Sequence, residues 1–339
     1  MNTIGASTRR REPYAYHQTV LFSRIASPPT GVLRALAIAN VVAQAGIAVT
    51  GSIVRVTESG LGCPTWPSCQ VGSLVPIADP TSGRLHEWIE FSNRLLGGAV
   101  GVLSALVLLG ALLVRPRRRR VVWLALTMPA GVVLQALIGG LTVRTQLTWW
   151  TVSLHFLPSP ALVWLAVLLV RAINEGDEPA RPLIPRPLRA LEVLMAGVVA
   201  LVVVAGTLVT GAGPHAGDPR TPRLDLPVAD LAQGHADIVF VFVGMLVALG
   251  FALRITGGHR ALWRRYWTLA GVVVAQAALG MIQYWLGVPD VLVIFHVLGA
   301  TLVVAAMAAV WCESRDRGPR PTEQTTANRA APADAPTAA

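Results

Sequence analysis

The chain has 339 residues, of which 53% are hydrophobic and 14% charged, with a formal net charge of +10. Soluble domains carry roughly 25% charged residues, so this composition, with a mean hydropathy of +0.57, excludes a soluble globular protein. All 28 basic residues are arginine. They cluster at the ends of apolar stretches, which sets aside nucleic acid as a partner and reads as topology-setting charge.

An apolar stretch of about 20 residues is long enough to cross a hydrocarbon core as a helix. In chain order the sequence predicts eight such spans, at 32–54, 86–114, 121–143, 151–171, 190–211, 230–254, 266–286 and 291–312. An even number of crossings puts both termini on one side. That side carries Arg9 to Arg11, Arg24, Arg115, Arg117 to Arg120, Arg181, Arg186, Arg189, Arg260, Arg264, Arg265, Arg315, Arg317 and Arg320. The positive-inside bias makes it cytoplasmic; Arg84, Arg220 and Arg223 are the exceptions in outer loops. The first 30 residues show no long apolar core of a secretory signal. The expected organisation is a cytoplasmic tail over 1–31, four spans over 32–171, a polar, proline-rich linker over 172–189, four spans over 190–312, and a disordered cytoplasmic tail over 313–339.

The two sets of four spans are related by an internal duplication, the feature that fixes an architecture first. Gln135-Ala136, Gly139 and His155 recur as Gln276-Ala277, Gly280 and His296, each 141 residues later. Gly51-Ser52-Ile53-Val54 likewise resembles Gly206-Thr207-Leu208-Val209. Four crossings return the chain to its starting side, so the repeats run parallel. The expected fold is an all-α integral membrane protein, with eight transmembrane helices as two pseudo-symmetric four-helix bundles. Bundle cores are where facing helices build cofactor sites.

Of seven histidines, His17 and His259 fall in cytoplasmic segments and His215 in an outer loop, where solvation explains them. His86, His155, His235 and His296 each fall within one or two turns of the outer start of an even-numbered span. An ionisable group within a span is costly and marks function. His235 and His296 lie 61 residues apart, on the second and fourth helices of one bundle, and are placed for axial ligation of a haem iron. A hydrogen bond bridging two helices and another kind of metal site are the alternatives. Counting back 62 residues from His155 reaches Asn93. His86, Glu90, Asn93 and Gly97 follow one helical stripe, with Gly97 leaving room for a bulky planar ligand. Glu90 and Arg94 are four residues apart, so a structural ion pair stands beside the reading of a carboxylate that faces substrate.

The first outer loop runs Thr57-Glu58-Ser59-Gly60-Leu61-Gly62-Cys63-Pro64-Thr65-Trp66-Pro67-Ser68-Cys69. Cys63 and Cys69 sit on the oxidising face and are expected to form a disulfide. Two thiols with no nearby histidine before His86 do not suit zinc. The third cysteine, Cys312, lies at the opposite end of the last span.

The Ser59–Cys69 loop, the Ile89-Glu90-Phe91 to Gly97 run and the two Gln-Ala…His hairpins together resemble the haem A synthase family, over about residues 32–312. The resemblance implies an oxidoreductase that converts haem O to haem A by oxidising a ring methyl group to a formyl group, for assembly of a cytochrome aa3-type oxidase. It implies a haem b in the C-terminal bundle with His235 and His296 as its axial iron ligands. The substrate haem O falls in the N-terminal bundle, with iron on His155, Glu90 as the catalytic carboxylate, and Asn93, His86 and Arg94 as further contacts. Arg94, Arg144 and Arg220 are the arginines expected to meet the propionates. Asn93 stands where the family commonly has a second histidine, so a substrate iron held by His155 alone is expected; His86, two turns nearer the outer surface, is the other candidate. The cysteine pair that some relatives carry in a later outer loop is absent from 212–229. The implied partners are haem O, membrane lipid, a haem O synthase and an electron acceptor, and an oligomer is compatible with the sequence. The implied location is the cell membrane, with the haem sites toward the extracytoplasmic side. Two other classes fit less well. A di-haem electron-transfer cytochrome calls for a histidine where Asn93 stands, and a haem transporter commonly uses inverted rather than parallel repeats.

Overall fold

The computed structural model describes residues 28–77 and 84–320. His17, the arginines of the N-terminal tail and the tail beyond Arg320 lie outside the described residues. Nine helices follow in chain order: α1 (Thr30–Val56), α2 (Arg84–Leu113), α3 (Arg119–Arg144), α4 (Trp149–Phe156), α5 (Pro158–Asn174), α6 (Arg186–Ala212), α7 (Val228–Thr256), α8 (Arg260–Trp285) and α9 (Asp290–Glu313). With α4 and α5 counted as one span, eight are long and apolar enough to cross a membrane, as expected.

Proline sets the start of four of these helices. Pro29, Pro185, Pro227 and Pro289 occupy the N-cap positions of α1, α6, α7 and α9, each with extended ψ. Proline's fixed φ launches a helix there at no loss, because an N–H at that point would have no intrahelical partner. α7 ends on Gly257, whose φ of 75° closes the last turn onto the Leu253 carbonyl in a conformation that glycine tolerates best. The seventh span begins at Arg260 rather than 266. Arg260, Arg264 and Arg265 continue the helix, since long basic side chains reach toward water from an interfacial turn.

The fourth span is interrupted. Pro158 and Pro160 stand three and five residues after His155 and carry no N–H, so the Leu154 and Phe156 carbonyls lose their helical donors. Leu157 keeps α-helical dihedrals, and the chain continues as α5. At the equivalent place in the second half stands Gly299, and α9 is unbroken.

Packing divides each half by depth. One core joins Leu33 and Ala37 of α1, Val107 and Ala111 of α2, Val121, Ala125 and Met128 of α3, and Leu162 to Ile173 of α5. A second joins Met195 and Val199 of α6, Phe242 to Leu253 of α7, Leu262 to Val273 of α8, and Val304 to Val310 of α9. All of these residues lie in the half of each helix nearer the side where the described chain begins and ends. His155, His235 and His296 lie in the other half, outside both cores. In the first half, α1, α2, α3 and α5 close a ring of contacts; in the second, the hairpins α6–α7 and α8–α9 meet only sparsely. α9 also packs against α1 and α5, which joins the two halves. Polar residues lock α1 to α2 within the first core: Ser104 Oγ donates to Asn40 Oδ1 at 2.9 Å, and both residues are fully buried.

One expectation is corrected on the side of the termini. The tail assigned as disordered over 313–339 is ordered through residue 320, and the linker over 172–189 holds it. Strands β1 (Arg181–Pro182) and β2 (Arg315–Asp316) pair antiparallel, and Gly176 N–H donates to the Gly318 carbonyl at 2.8 Å. Buried Glu175 accepts from Arg120 at 2.5 Å and from Arg171 at 2.9 Å. Arg118 donates to both oxygens of Asp177, at 2.7 and 3.0 Å. Charges that looked like a solvated, topology-setting fringe therefore also clamp the linker to the start of α3 and the end of α5.

Candidate functional site

Each of the three span histidines packs against a glycine on the preceding helix. A Cβ on Gly139 of α3 would lie 3.1 Å from His155 Cε1, one on Gly206 of α6 would lie 3.3 Å from His235 Cε1, and one on Gly280 of α8 would lie 3.0 Å from His296 Cε1. The missing side chain lets an imidazole lie flat against the helix, which fixes its plane. All three rings are half-buried, and their Nδ1 atoms are sealed from solvent without a well-formed hydrogen bond. The His155 ring lies near the Gln135 backbone and the His235 ring near the Val202 backbone, the kind of outer partner that holds a ligating imidazole in one tautomer. Among the described residues no side-chain hydrogen bond joins one of these histidines to another.

His235 belongs to one hairpin of the second half and His296 to the other, and these hairpins meet only sparsely. They lie within electrostatic reach of each other. Gln276 steadies the second ring's helix by donating from Nε2 to the His296 carbonyl at 2.9 Å. Gln135, its counterpart, donates instead to Ser159 Oγ at 2.7 Å, one turn beyond His155. Among the described residues no group of three or more His, Cys, Asp or Glu is arranged around a bare metal ion. A porphyrin iron needs only one or two protein ligands, since the macrocycle supplies the other four.

In the first half, Asn93 takes the place that His235 has in the second. Thr50 Oγ1 of α1 donates to Asn93 Oδ1 at 2.7 Å, and no hydrogen bond uses the Asn93 amide nitrogen. Such a nitrogen has no lone pair to give to iron, so as oriented Asn93 presents a donor rather than a ligand. Thr50 and Asn93 line an open cleft of about 310 Å³ with Ile53, Val54, Trp88, Ile89, Ser92 and Leu96. Gly97 meets nothing within 4 Å of where its Cβ would be, and it does not line the cleft.

Glu90 and Arg94 organise the outer loop. Glu90 is 6% exposed and accepts from the Cys63 N–H at 2.7 Å. Arg94 donates from Nε and Nη2 to Glu90 Oε1 at 3.1 and 2.5 Å. Its remaining N–H groups meet the carbonyls of Thr65, Ser68 and Cys63, at 2.9, 3.2 and 2.8 Å. All five guanidinium donors are thereby used, which leaves none for a ligand carboxylate. Of the two sequence readings for this pair, the ion pair is present, and it is bound into the loop that the Cys63–Cys69 disulfide closes. Gly62 lets that loop approach α2, since a Cβ there would stand 2.5 Å from the His86 carbonyl. His86 Nδ1 lies 3.0 Å from Ser59 Oγ, so His86 serves the loop's footing. Trp66 lies over Gly140, where a Cβ would meet its ring at 2.6 Å, next to the Gly139–His155 contact. The loop is thus seated on both α2 and α3.

Arg144 is exposed at the end of α3, and Arg220 is 86% exposed and paired with Asp218 at 3.2 Å. Burial alone would raise the Asp218 carboxyl, but the hydrogen bonds and charge of Arg220 outweigh it and hold its pKa below the ordinary value of 3.8. Several site residues gave no sequence signal. Thr50 and Trp66 needed a fold to bring them to Asn93 and Gly140. Glu87 is 1% exposed beneath the disulfide loop, where Gln70 reaches it; its position three residues before Glu90 was the available clue.

Fold and contacts together define a polytopic helical membrane protein with a histidine seated on glycine in each half and a disulfide-closed outer loop over the first. The chain belongs to the COX15-CtaA family, described as cytochrome oxidase assembly protein, whose model matches residues 34–217. Among relatives, a protein of Staphylococcus haemolyticus (strain JCSC1435) named Heme A synthase is 26% identical over 294 residues, covering 81% of this chain and 93% of the relative. One of the same name from Staphylococcus aureus (strain bovine RF122 / ET3-1) is 28% identical over 269 residues, covering 74% and 85%. Another, from Geobacillus kaustophilus (strain HTA426), is 31% identical over 140 residues, covering 40% and 41%. The first two alignments are too long to end with the first half, so the likeness extends into the second.

Proposed function

We propose that this protein is a haem A synthase: a membrane oxidoreductase that oxidises a ring methyl group of haem O to the formyl group of haem A. The observation that carries this reading is the unequal pair of sites on one duplicated frame. The second half has two histidines on facing hairpins, as a permanently held haem needs. The first has a single histidine and an open cleft, as a substrate that must enter and leave needs.

The two halves are read as two four-helix bundles, with 32–171 as the substrate domain and 190–312 as the cofactor domain. His235 and His296 would hold haem b, and glycines 206 and 280 give their rings room. When bound, that haem supplies a centre that takes up and passes single electrons. His155 would hold the iron of haem O alone, because Asn93 is tied to Thr50 and His86 to Ser59. The apolar cleft beside Asn93, which His155 does not line, suits the hydrocarbon tail. Oxidation at a methyl carbon releases protons, and Glu90 is the buried carboxylate assigned to accept one. Arg94 and the Cys63 N–H hold Glu90 in place and keep water from it. The loop closed by Cys63–Cys69 is thus a lid, positioned by Glu90 as well as covering it. An electron acceptor and a haem O synthase complete the set of partners. The termini are assigned to the cytoplasm and the haem sites to the outer side.

Pigment extracted from the purified protein tests the reading. A synthase carries haem b together with haem O, haem A or an intermediate. A di-haem cytochrome would carry only its own haem, and a transporter little of any.

A further inference from the structure

Two arginines come within electrostatic reach of each other at the outer end of the first half. Arg55 is in the last turn of α1, directly after Ile53 and Val54 of the cleft wall. Arg223 comes from the outer loop of the second half, where Nη1 donates to the Gly213 carbonyl at 2.8 Å. That loop is pinned to the first half: Gly60 N–H donates to the Gly217 carbonyl at 2.9 Å. A Cβ on Gly217 would lie 3.7 Å from Arg55 Cγ. The guanidinium charges of Arg55 and Arg223 repel each other. Arg55 Nε is buried without a hydrogen-bond partner. Among the described residues neither arginine forms an ion pair with a carboxylate.

Like charges brought together where the dielectric is low are unfavourable unless an anion joins them. The dipole at the end of α1 offsets part of the Arg55 charge but gives no reason for the approach of Arg223. The arginines expected at this role are otherwise engaged or exposed: Arg94 has spent all five donors, Arg220 faces solvent with Asp218, and Arg144 is exposed. We propose that Arg55 and Arg223 form a cationic cradle, built from both halves, that binds the propionate carboxylates of the substrate haem. Guanidinium forks match carboxylates geometrically, and such charge-assisted bonds are the strong ones. The cradle would orient the macrocycle with its carboxylates at the outer mouth and its hydrocarbon tail along the apolar cleft. It also makes substrate binding depend on the contact between the halves. This inference rests on the haem O reading.

The test is a spectroscopic titration of the purified, haem b-containing protein with haem O and with its propionate dimethyl ester. Wild type is expected to prefer the free acid. Arg55→Gln and Arg223→Gln should each weaken haem O binding about ten-fold, as loss of a charged hydrogen bond of roughly 1.4 kcal/mol or more predicts. Ester binding should be unchanged, so the preference disappears. Arg55→Lys should retain part of it. The reduction potential of the resident haem should be unmoved in every variant, and its content reports folding. If Arg55→Gln fails to accumulate, Arg55→Lys and Arg223→Gln decide. A preference that survives the substitutions, an equal loss for acid and ester, or a shift in the resident haem's potential instead would each overturn the cradle. Failure of the haem O reading is distinct: wild type would then bind neither form.

Discussion

Glu90 illustrates how a single residue can be both scaffold and chemistry. Its carboxylate closes two bonds from Arg94 and one from the Cys63 N–H, so removing it leaves buried donors unpaired, a cost of roughly 1–3 kcal/mol. Glu90→Gln keeps an oxygen acceptor for Cys63 while removing the charge. It should leave haem content and thermal stability near wild type and stop formyl production, read by mass spectrometry of extracted haems; haem A at wild-type level would remove Glu90 from the chemistry. Glu90→Ala should fail in both respects, with a lowered melting temperature. The glycines facing the histidines carry a second prediction. Gly280→Leu should displace the His296 ring and reduce bound haem b to a minor fraction, measured by the pyridine haemochrome. Gly271→Leu on the same helix, where nothing lies within 4 Å, should not. Asp218 gives a pH dependence. Its folded pKa is depressed, so its contribution is present above 3.8 and lost as pH falls below that value. Asp218→Asn should abolish that acid-dependent loosening of the loop, followed by amide hydrogen exchange corrected for intrinsic rate. Much at this scale was legible beforehand: His155, His235, His296, Glu90 and Asn93 stood out because a duplicated pattern made their positions comparable. Arg94 was legible as a partner of Glu90 but not as spent, because its other three acceptors are backbone carbonyls from a loop some 30 residues away.

The disulfide loop behaves as an element in its own right, fastened to α2 through Glu90, Arg94 and the Gly62 approach, and to α3 through Trp66. Cys63→Ser with Cys69→Ser should lower stability by about 2 kcal/mol, the chain-entropy value for so short a loop, with the loss seen in thermal unfolding in detergent. Because Cys63 N–H is a Glu90 donor, the same variant should also depress formyl production. Unchanged production would mean that Arg94 alone keeps the loop seated. Spans were legible because lipid demands long apolar helices. Their ends were less so: α8 begins six residues before the predicted start because arginines at an interface do not stop a helix. The β1–β2 pairing was not legible. Two residues on each side carry no alternation, and the pairing is flanked by backbone bonds from Gly176 to Gly318 and from Leu183 to Ser314.

Across the whole molecule, each half has its apolar core toward the termini and its span histidines toward the opposite face. The duplication explains why both halves are built alike. The sparse meeting of α6–α7 with α8–α9 is compatible with a planar group between His235 and His296. Pattern alone could not reveal that sparse packing, because apolar residues facing lipid and apolar residues facing a neighbouring helix look the same in sequence. Nor could it show that the outer loops of the two halves meet at Gly60 and Gly217, which makes one functional unit of two repeats. On the proposed function, the single-histidine half carries out the oxidation while the two-histidine half retains its haem. The most direct test is chromatography with mass spectrometry of haems from a host lacking haem A, co-expressing this chain with a haem O synthase, for wild type and His155→Ala. Wild type is expected to yield haem A or its hydroxymethyl precursor, and His155→Ala only haem b and unconverted haem O. A folded, pigmented wild-type protein yielding only haem b and haem O would contradict the proposed function and favour electron transfer.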